Sequence, residues 1–447
     1  MFPTRESIDR TIVWHVTMCA LPAMFLLRLG AFSAAAYVYF GLYGLMFSYS
    51  LAIGDARKLT AVTLGCLPGI MLLRDFFYYS SVEVILAVAV GSWMIFERSE
   101  FDRLFDDGLV KALVWFAAIY WVLSYLLTGD YSANLRIFEL VFSAVGVRLL
   151  ARRRAYLATA LWSVGITGFA IGIALIGQGE RLGMVRNSEI RLGNPITFGI
   201  PMALILVLIL AEHGRWLLLE GKPIMRAVAG FGTGVFLLLS TSRGSWAVVT
   251  ACVLAMLLVS RHRRHILQAM VVGAIPLALW MYYSDSSVVT KYVDKTFSSK
   301  EEWSVEYNAR VAQWNTFPTA FADSPIWGFG PGRGKQVSIT YSGHSLIWHS
   351  LYLHLGIECG LLGLIPLMGL LGTLVGRGFK HRRLRGEVAP LLGVIGFAVV
   401  ATSVPAIDGV SGLFLGLSLA AGEVVGTHLI RAVVVYEPIE PELVTAP

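Results

Sequence analysis

The sequence predicts an all-α, polytopic membrane bundle, and three observations carry that expectation. Of 447 residues, 56% are hydrophobic and 15% charged, whereas a soluble domain carries about 25% charge. Mean hydropathy is +0.68. The apolar residues also gather in runs long enough to cross a hydrocarbon core of about 30 Å, which takes about 20 helical residues. A water-soluble enzyme, a secreted binding module and a disordered chain are excluded. Cys19, Cys66, Cys252 and Cys359 all lie inside apolar runs, so no disulfide framework or zinc spacing is present. A net charge of +7 would point to nucleic acid in a soluble protein. Here it marks anchoring loops, and no nucleic-acid partner is expected.

Taken in order, the apolar runs fall near 11–29, 31–53, 60–73, 81–97, 109–128, 136–150, 156–177, 196–212, 225–241, 244–260, 265–283, 346–376, 388–405 and 410–431. The third and sixth are short. Arg5 and Arg10 precede the first run, and the small-residue cluster Ala34 to Ala36 falls inside the second. The first helix is therefore expected to be retained rather than cleaved as a signal peptide. With an N-terminus in the cytoplasm and alternating spans, the inner loops hold Arg57-Lys58, Arg98/Arg103, Arg152 to Arg154, Arg215/Lys222/Arg226, Arg261/Arg263/Arg264 and Arg377 to Arg385. The opposite loops carry single arginines such as Arg28, Arg74 and Arg136, which read as interfacial anchors. One misassigned span would invert everything after it, so the consistency predicts an even number of spans and both termini cytoplasmic. Residues 1–435 are expected to form one transmembrane domain, and the Pro/Glu-rich tail 436–447 to be disordered.

Two outer segments are longer than simple connectors, 178–195 and 284–345, and long ordered loops usually carry function. In the second, Glu301 to Phe321 reads as helical, with Tyr307, Val311 and Trp314 on one stripe. The turn-rich run SPIWGFGPGRG follows, completed by Gly334. Trp303, Trp314 and Trp327 point to packing on the membrane surface or within the loop itself. No internal repeat is visible.

Four polar residues from distant segments converge on this outer face. Arg191 sits in RLGNPITF at the mouth of the eighth span, where free backbone N–H groups and the helix dipole favour an anion. Arg243 sits in the turn STSRGSW, Arg310 on the expected loop helix, and His349 at the start of the twelfth span. An arginine near a helix end commonly snorkels to the interface. Arg243 resists that reading, because it lies in a tight turn on the side that otherwise avoids positive charge. His344, His349 and His354 are five and five residues apart. On a helix this leaves neighbours about 140° apart, so a metal site is not expected. Glu358, nine residues from His349, is not expected to pair with it. His349 is left as a single imidazole at the water boundary, suited either to general-base work or to plain interfacial hydrogen bonding.

The run from His349 resembles the signature of bacterial O-antigen ligases and related polymerases: His, then Asn, Ser or Gln, nine residues, Gly, two residues, Gly. Here these are His349, Ser350, Gly360 and Gly363, with Tyr352-Leu353 and Glu358 between them. RLGNPITFG, the SRG turn, and NARVAQW followed by SPIWGFGPG resemble further blocks of that superfamily in the same order. The resemblance covers about 180–370, with the large periplasmic loop at about 284–345. It implies a metal-independent, cofactor-free, inverting glycosyltransferase of the bacterial inner membrane with its active site facing the periplasm. The donor would be a glycan on undecaprenyl diphosphate and the acceptor lipid A–core, with membrane lipids around both. His349 would act as the base, and Arg191, Arg243 and Arg310 would bind the diphosphate, since guanidinium forks match its oxygens bidentately. A ligase is expected first. A polymerase and an O-linked oligosaccharyltransferase use the same donor. A transporter of lipid-linked glycan ranks lower, because charges within spans are few (Glu83, Glu139 and Glu423).

Overall fold

The computed structural model describes residues 7–73, 81–130, 134–174, 185–186, 191–192, 195–240, 242–260, 263–271, 304–345, 348–403 and 408–422. They form a polytopic helical membrane bundle. The first helices are α1 (Arg10–Arg28), α2 (Phe32–Ala52), α3 (Ala56–Leu73), α4 (Ser81–Phe96), α5 (Arg98–Phe105), α6 (Gly108–Thr128), α7 (Ile137–Leu150) and α8 (Arg154–Ala174). A two-residue antiparallel ladder follows, pairing β1 (Val185–Arg186) with β2 (Arg191–Leu192). Next come α9 (Pro195–Leu210), a 3₁₀ segment (Ala211–Leu217), α10 (Pro223–Leu239), α11 (Arg243–Val259) and helical residues 263–271. The remainder is α12 (Ser304–Asp323), α13 (Gly334–Ser342), α14 (Leu351–Arg385), α15 (Ala389–Ser403) and α16 (Gly409–Leu419). Among the described residues six helices are long and apolar enough to cross a membrane, and five more are shorter apolar helices.

Local chemistry sets the ends of these helices. Asp9 caps α1 by accepting from the N–H groups of Thr11 and Ile12 at 2.9 and 3.3 Å. Asp107 caps α6 through Leu109 N–H at 3.0 Å, and Asp408 caps α16 through Ser411 N–H at 2.8 Å. At the other end of α14, Arg382, Arg383 and Arg385 occupy the last turn, where the dipole favours cations, before Gly386 closes the helix.

Burial separates core from lipid-facing helices. α3, short in its apolar run, is a full span and lies at the centre with 94% of its membrane stretch buried, against 28% for α6 and for α14. α7 stays short, but Glu139 and Arg148 near its ends are buried against protein rather than lipid. It packs along α16 through Gly409, Gly412 and Gly416, where a Cβ on Gly412 would stand 2.5 Å from Leu140 O and one on Gly416 2.6 Å from Ala144 O. Small residues let helix backbones approach in this way.

Ion pairs gather the basic clusters at one end of the bundle. Arg57 pairs with Glu97 at 2.9 Å, Arg152 with Glu100, and Arg377 with Asp107 at 2.7 Å. Glu387 takes Arg154 at 2.9 Å, Arg215 at 3.4 Å and His381 at 3.2 Å. α5 was legible only as a charged loop. It is an amphipathic turn-pair at this end, with Phe101, Leu104 and Phe105 packed against the core and Arg98 and Asp102 exposed.

Burial pushes the Glu387 carboxyl up, but the His381 hydrogen bond and the Arg154 and Arg215 charges outweigh it and hold it at about 2, against an ordinary 4.5. Asp107 also lies below its ordinary value: burial raises it, and Arg377 and the Leu109 N–H lower it by more. A carboxyl depressed by folding contributes stability that is complete above its unfolded pKa and lost as pH falls through its folded one. The contribution of Glu387 to thermal stability in detergent should therefore be complete above about pH 5 and be lost from there toward about pH 2. Glu387→Gln should melt lower at pH 7 and show a shallower acid decline. At the α7–α16 contact, Gly412→Ala should cost about 1–3 kcal/mol by the same melting assay. Gly91→Ala, within α4 and with nothing within 4 Å, should be neutral or slightly stabilising.

Candidate active site

A second, smaller hydrophobic cluster sits at the opposite end of the bundle from those ion pairs. Ala320 of α12, Val337 of α13, Trp348, and Leu353 and Ile357 of α14 form its buried centre, with Phe317, Phe329 and Tyr341 against it. It packs the loop helices onto the start of α14. Trp348 is fully buried, its ring meets Phe317 edge-on at 6.2 Å, and its indole N–H donates to Gly334 O at 2.9 Å. Ser350, also fully buried, donates to Ala401 O at 3.2 Å, and Tyr352 donates to Ala398 O at 3.2 Å, both on α15.

His349 is thus held between two buried neighbours. Its N–H donates to Gln313 Oε1 at 3.3 Å, and the Gln313 amide donates to Ser338 Oγ at 3.0 Å. Gln313 and Ser338 are both buried. The ring itself is half-buried with Nδ1 shielded from solvent. Arg310 precedes Gln313 by three residues on α12, hence on the same side of that helix, and its Nε is shielded as well. The loop helix and the histidine therefore meet at Gln313.

Arg243 is the first residue of α11, exposed, after Ser242, whose Oγ accepts from Ser245 N–H at 3.4 Å. α11 packs along α15, and Cys252 bonds Leu392 O at 3.6 Å. In that antiparallel pair the Arg243 end of α11 faces the end of α15 that holds Ser350 and Tyr352. The first turn of α9 touches the same place, since a Cβ on Gly199 would stand 2.3 Å from Ser245 Oγ. Arg191 lies in β2, just ahead of α9. Its side chain lies outside the described residues, as do Arg74, Trp303, Glu423, the tail and most of 178–195. The helix ends nearest Gly199, Arg243 and His349 share one end of the bundle.

Helical spacing does not govern the three histidines. His344 and His349 precede α14, which begins at Leu351, and only His354 lies on it. The 140° argument therefore does not apply to them. Among the described residues no three His, Cys, Asp or Glu side chains gather into a group.

Glu358, which the sequence gives no reason to place in the site beyond its position in the signature, is a centre of this end. It is 1% exposed, and its carboxylate accepts from four donors. Oε2 takes Tyr120 O–H at 2.6 Å, Asn134 Nδ2 at 3.1 Å and Gly332 N–H at 2.7 Å, and Oε1 takes Gly334 N–H at 2.9 Å. His354 Nε2 lies 3.6 Å from Oε1 and 3.2 Å from Tyr120 O–H. The glycine loop before α13 makes an anion nest, and the protein's own carboxylate fills it. The signal was present as the i, i+4 spacing of His354 and Glu358, which shares one helix face.

Immediately after Glu358, α14 breaks at Gly360 (φ 58°, ψ −145°), and the loop threads the break. Phe329 N–H and Gly330 N–H donate to Ile357 O and Glu358 O at 2.8 and 2.9 Å, and Leu361 N–H donates to Pro325 O at 2.8 Å. Backbone groups freed from a helix inside a membrane must find partners, and this loop supplies them. Gly328 and Gly360 permit it: a Cβ on Gly328 would stand 2.5 Å from Cys359 N, and one on Gly360 2.5 Å from Ile326 O. Below this site an apolar cavity of about 170 Å³ opens between α6, α7 and α14, lined by Leu113, Phe116, Leu140, Leu355 and Leu367 among others.

These features define a polytopic membrane protein with one end of its bundle capped by loop helices. Residues 228–368, from α10 into α14, match the family described as O-antigen ligase. The matched residues include Arg243, Arg310, His349 and Glu358 but not Arg191. No curated protein matches the chain. The family indicates a glycosyltransferase-like enzyme of the ligase or polymerase type.

The threaded break makes a stability prediction. Gly328→Ala should cost more than about 2 kcal/mol in thermal unfolding, because its φ is +66° and its Cβ has no space. Gly343→Asn, at φ +71° but with nothing within 4 Å, should cost less than about 1 kcal/mol.

Proposed function

We propose that the protein transfers O-antigen polysaccharide from undecaprenyl diphosphate to lipid A–core at the periplasmic face of the bacterial inner membrane. The observation that carries this reading is His349 held rigidly between two buried residues, clamped through Gln313 to the helix bearing Arg310. That end of the bundle is the one away from the basic clusters, and the positive-inside rule assigns it to the periplasm. The apolar cavity beneath the site suits a polyprenyl tail.

In the proposed reaction His349 takes the proton of an acceptor sugar hydroxyl. The oxygen attacks the anomeric carbon as the bond from that carbon to the diphosphate oxygen breaks. One displacement inverts the anomeric centre and leaves undecaprenyl diphosphate. Arg191, Arg243 and Arg310 bind the diphosphate and stabilise the charge it gains on leaving. Guanidinium groups supply this charge at any physiological pH, so no metal is required.

The test is transfer by purified protein from defined lipid-linked donor to rough lipopolysaccharide, paired with gels from complemented deletion strains. Transfer should persist in EDTA. His349→Ala should lower it about 10²–10⁴-fold with donor binding retained. Lysine at Arg191 or Arg243 should not restore activity, because a point charge lacks the bidentate fork. Full activity of the histidine variant, or of both lysine variants, overturns the assignment. A deletion strain that loses all O-antigen from core while lipid-linked polymer accumulates is a ligase mutant. Core capped by one repeat identifies a polymerase instead.

A further inference from the structure

We infer that Glu358 is a positioning residue for His349, acting through the backbone of Gly334 and through Trp348. The inference rests on His349 being the base, as proposed above. Four donors and no acceptor converge on the Glu358 carboxylate, from α6, from Asn134 and from two peptides of the glycine loop. Gly334 is held through both of its backbone groups: its N–H donates to Glu358 Oε1 at 2.9 Å, and its carbonyl accepts from the Trp348 indole at 2.9 Å. Trp348 directly precedes His349, and its ring is fully buried. The chain from carboxylate through Gly334 to indole therefore sets where the backbone enters His349. Gln313 holds the Trp348–His349 peptide itself, accepting from the His349 N–H at 3.3 Å.

Chemistry makes the carboxylate hard to replace. A glutamine has one acceptor oxygen and one NH₂ group. With the NH₂ at the Oε1 position, it faces Gly334 N–H. At the Oε2 position it faces Gly332 N–H and the Asn134 amide. Either way donor meets donor in a buried site, where an unmade hydrogen bond is costly. The glycine loop then shifts, and the indole that bonds it shifts too. A displacement of about 1 Å at a reacting group can cost about 10² in rate.

The experiment is a double-mutant cycle on the reconstituted full-length protein with lipid-linked donor and rough lipopolysaccharide. Glu358→Gln should lower kcat about 10–10²-fold, with KM for the donor within about twofold of wild type. Trp348→Phe keeps an aromatic side chain but removes the indole N–H, and should lower kcat by a smaller factor. Because both act through Gly334, the double variant should be no slower than Glu358→Gln alone. Factors that multiply overturn the relay, as does a Glu358→Gln variant with wild-type kcat. A raised donor KM with unchanged kcat overturns it too, since that marks a substrate contact. If Glu358→Gln does not accumulate as folded protein, Tyr120→Phe takes its place in the cycle, removing one donor and leaving the carboxylate. His349→Ala in the same assay separates the two claims. Activity in that variant defeats the reading of the base. A dead His349→Ala beside an uncoupled Glu358→Gln defeats the positioning role alone.

Discussion

A carboxylate removed from water has to be met by donors, and around Glu358 they come from four separate places. Tyr120 on α6, Asn134 ahead of α7, and the peptides of Gly332 and Gly334 all turn toward it. Buried charge is tolerated only with such compensation. The loop geometry, the entry to α14 and the seating of α6 therefore cannot vary independently. Glu358 gathers the part of the fold that carries His349.

The break at Gly360 belongs to the same arrangement. An uninterrupted α14 would satisfy its own backbone and leave the loop no partners. Opening it frees the carbonyls of Ile357 and Glu358 and the N–H of Leu361, and residues 325–330 take them. The loop is thereby joined to a spanning helix by backbone bonds rather than only resting on the bundle. Trp348 and the small cluster with Val337 and Ile357 exclude water from this junction, which strengthens every polar contact inside it.

The two ends of the bundle use charge differently. At one end arginines pair with acids between consecutive helices, as Glu387 does with Arg154 and Arg215. At the other, Arg243 opens α11 exposed, and Arg310 lies half-buried beside the residue that holds His349. Among the carboxylates there, Asp408 caps α16 and Glu139 accepts Gly409 N–H at 3.3 Å. An end with exposed or half-buried guanidinium groups suits a strongly anionic substrate.

Hydropathy is a local quantity, and each stretch of chain reports its own preference for lipid. For that reason the order of spans, their approximate limits, the basic end and the loop helix over 301–321 were all legible, and so was the motif containing His349. α5 was not legible, because its eight residues are apolar on one face only and average out as charged. Nor was the break in α14, since an apolar run of this kind contains nothing that stops a helix except a glycine that helices in membranes also tolerate. Glu358 shows the limit most directly. Its partner Tyr120 is 238 positions away and Gly332 is 26 away, so no local pattern relates them. The sequence by itself determined a membrane bundle and the residues able to do chemistry. Only the tertiary structure decided which carboxylate would be buried, because burial and its compensating donors exist only once distant helices have packed.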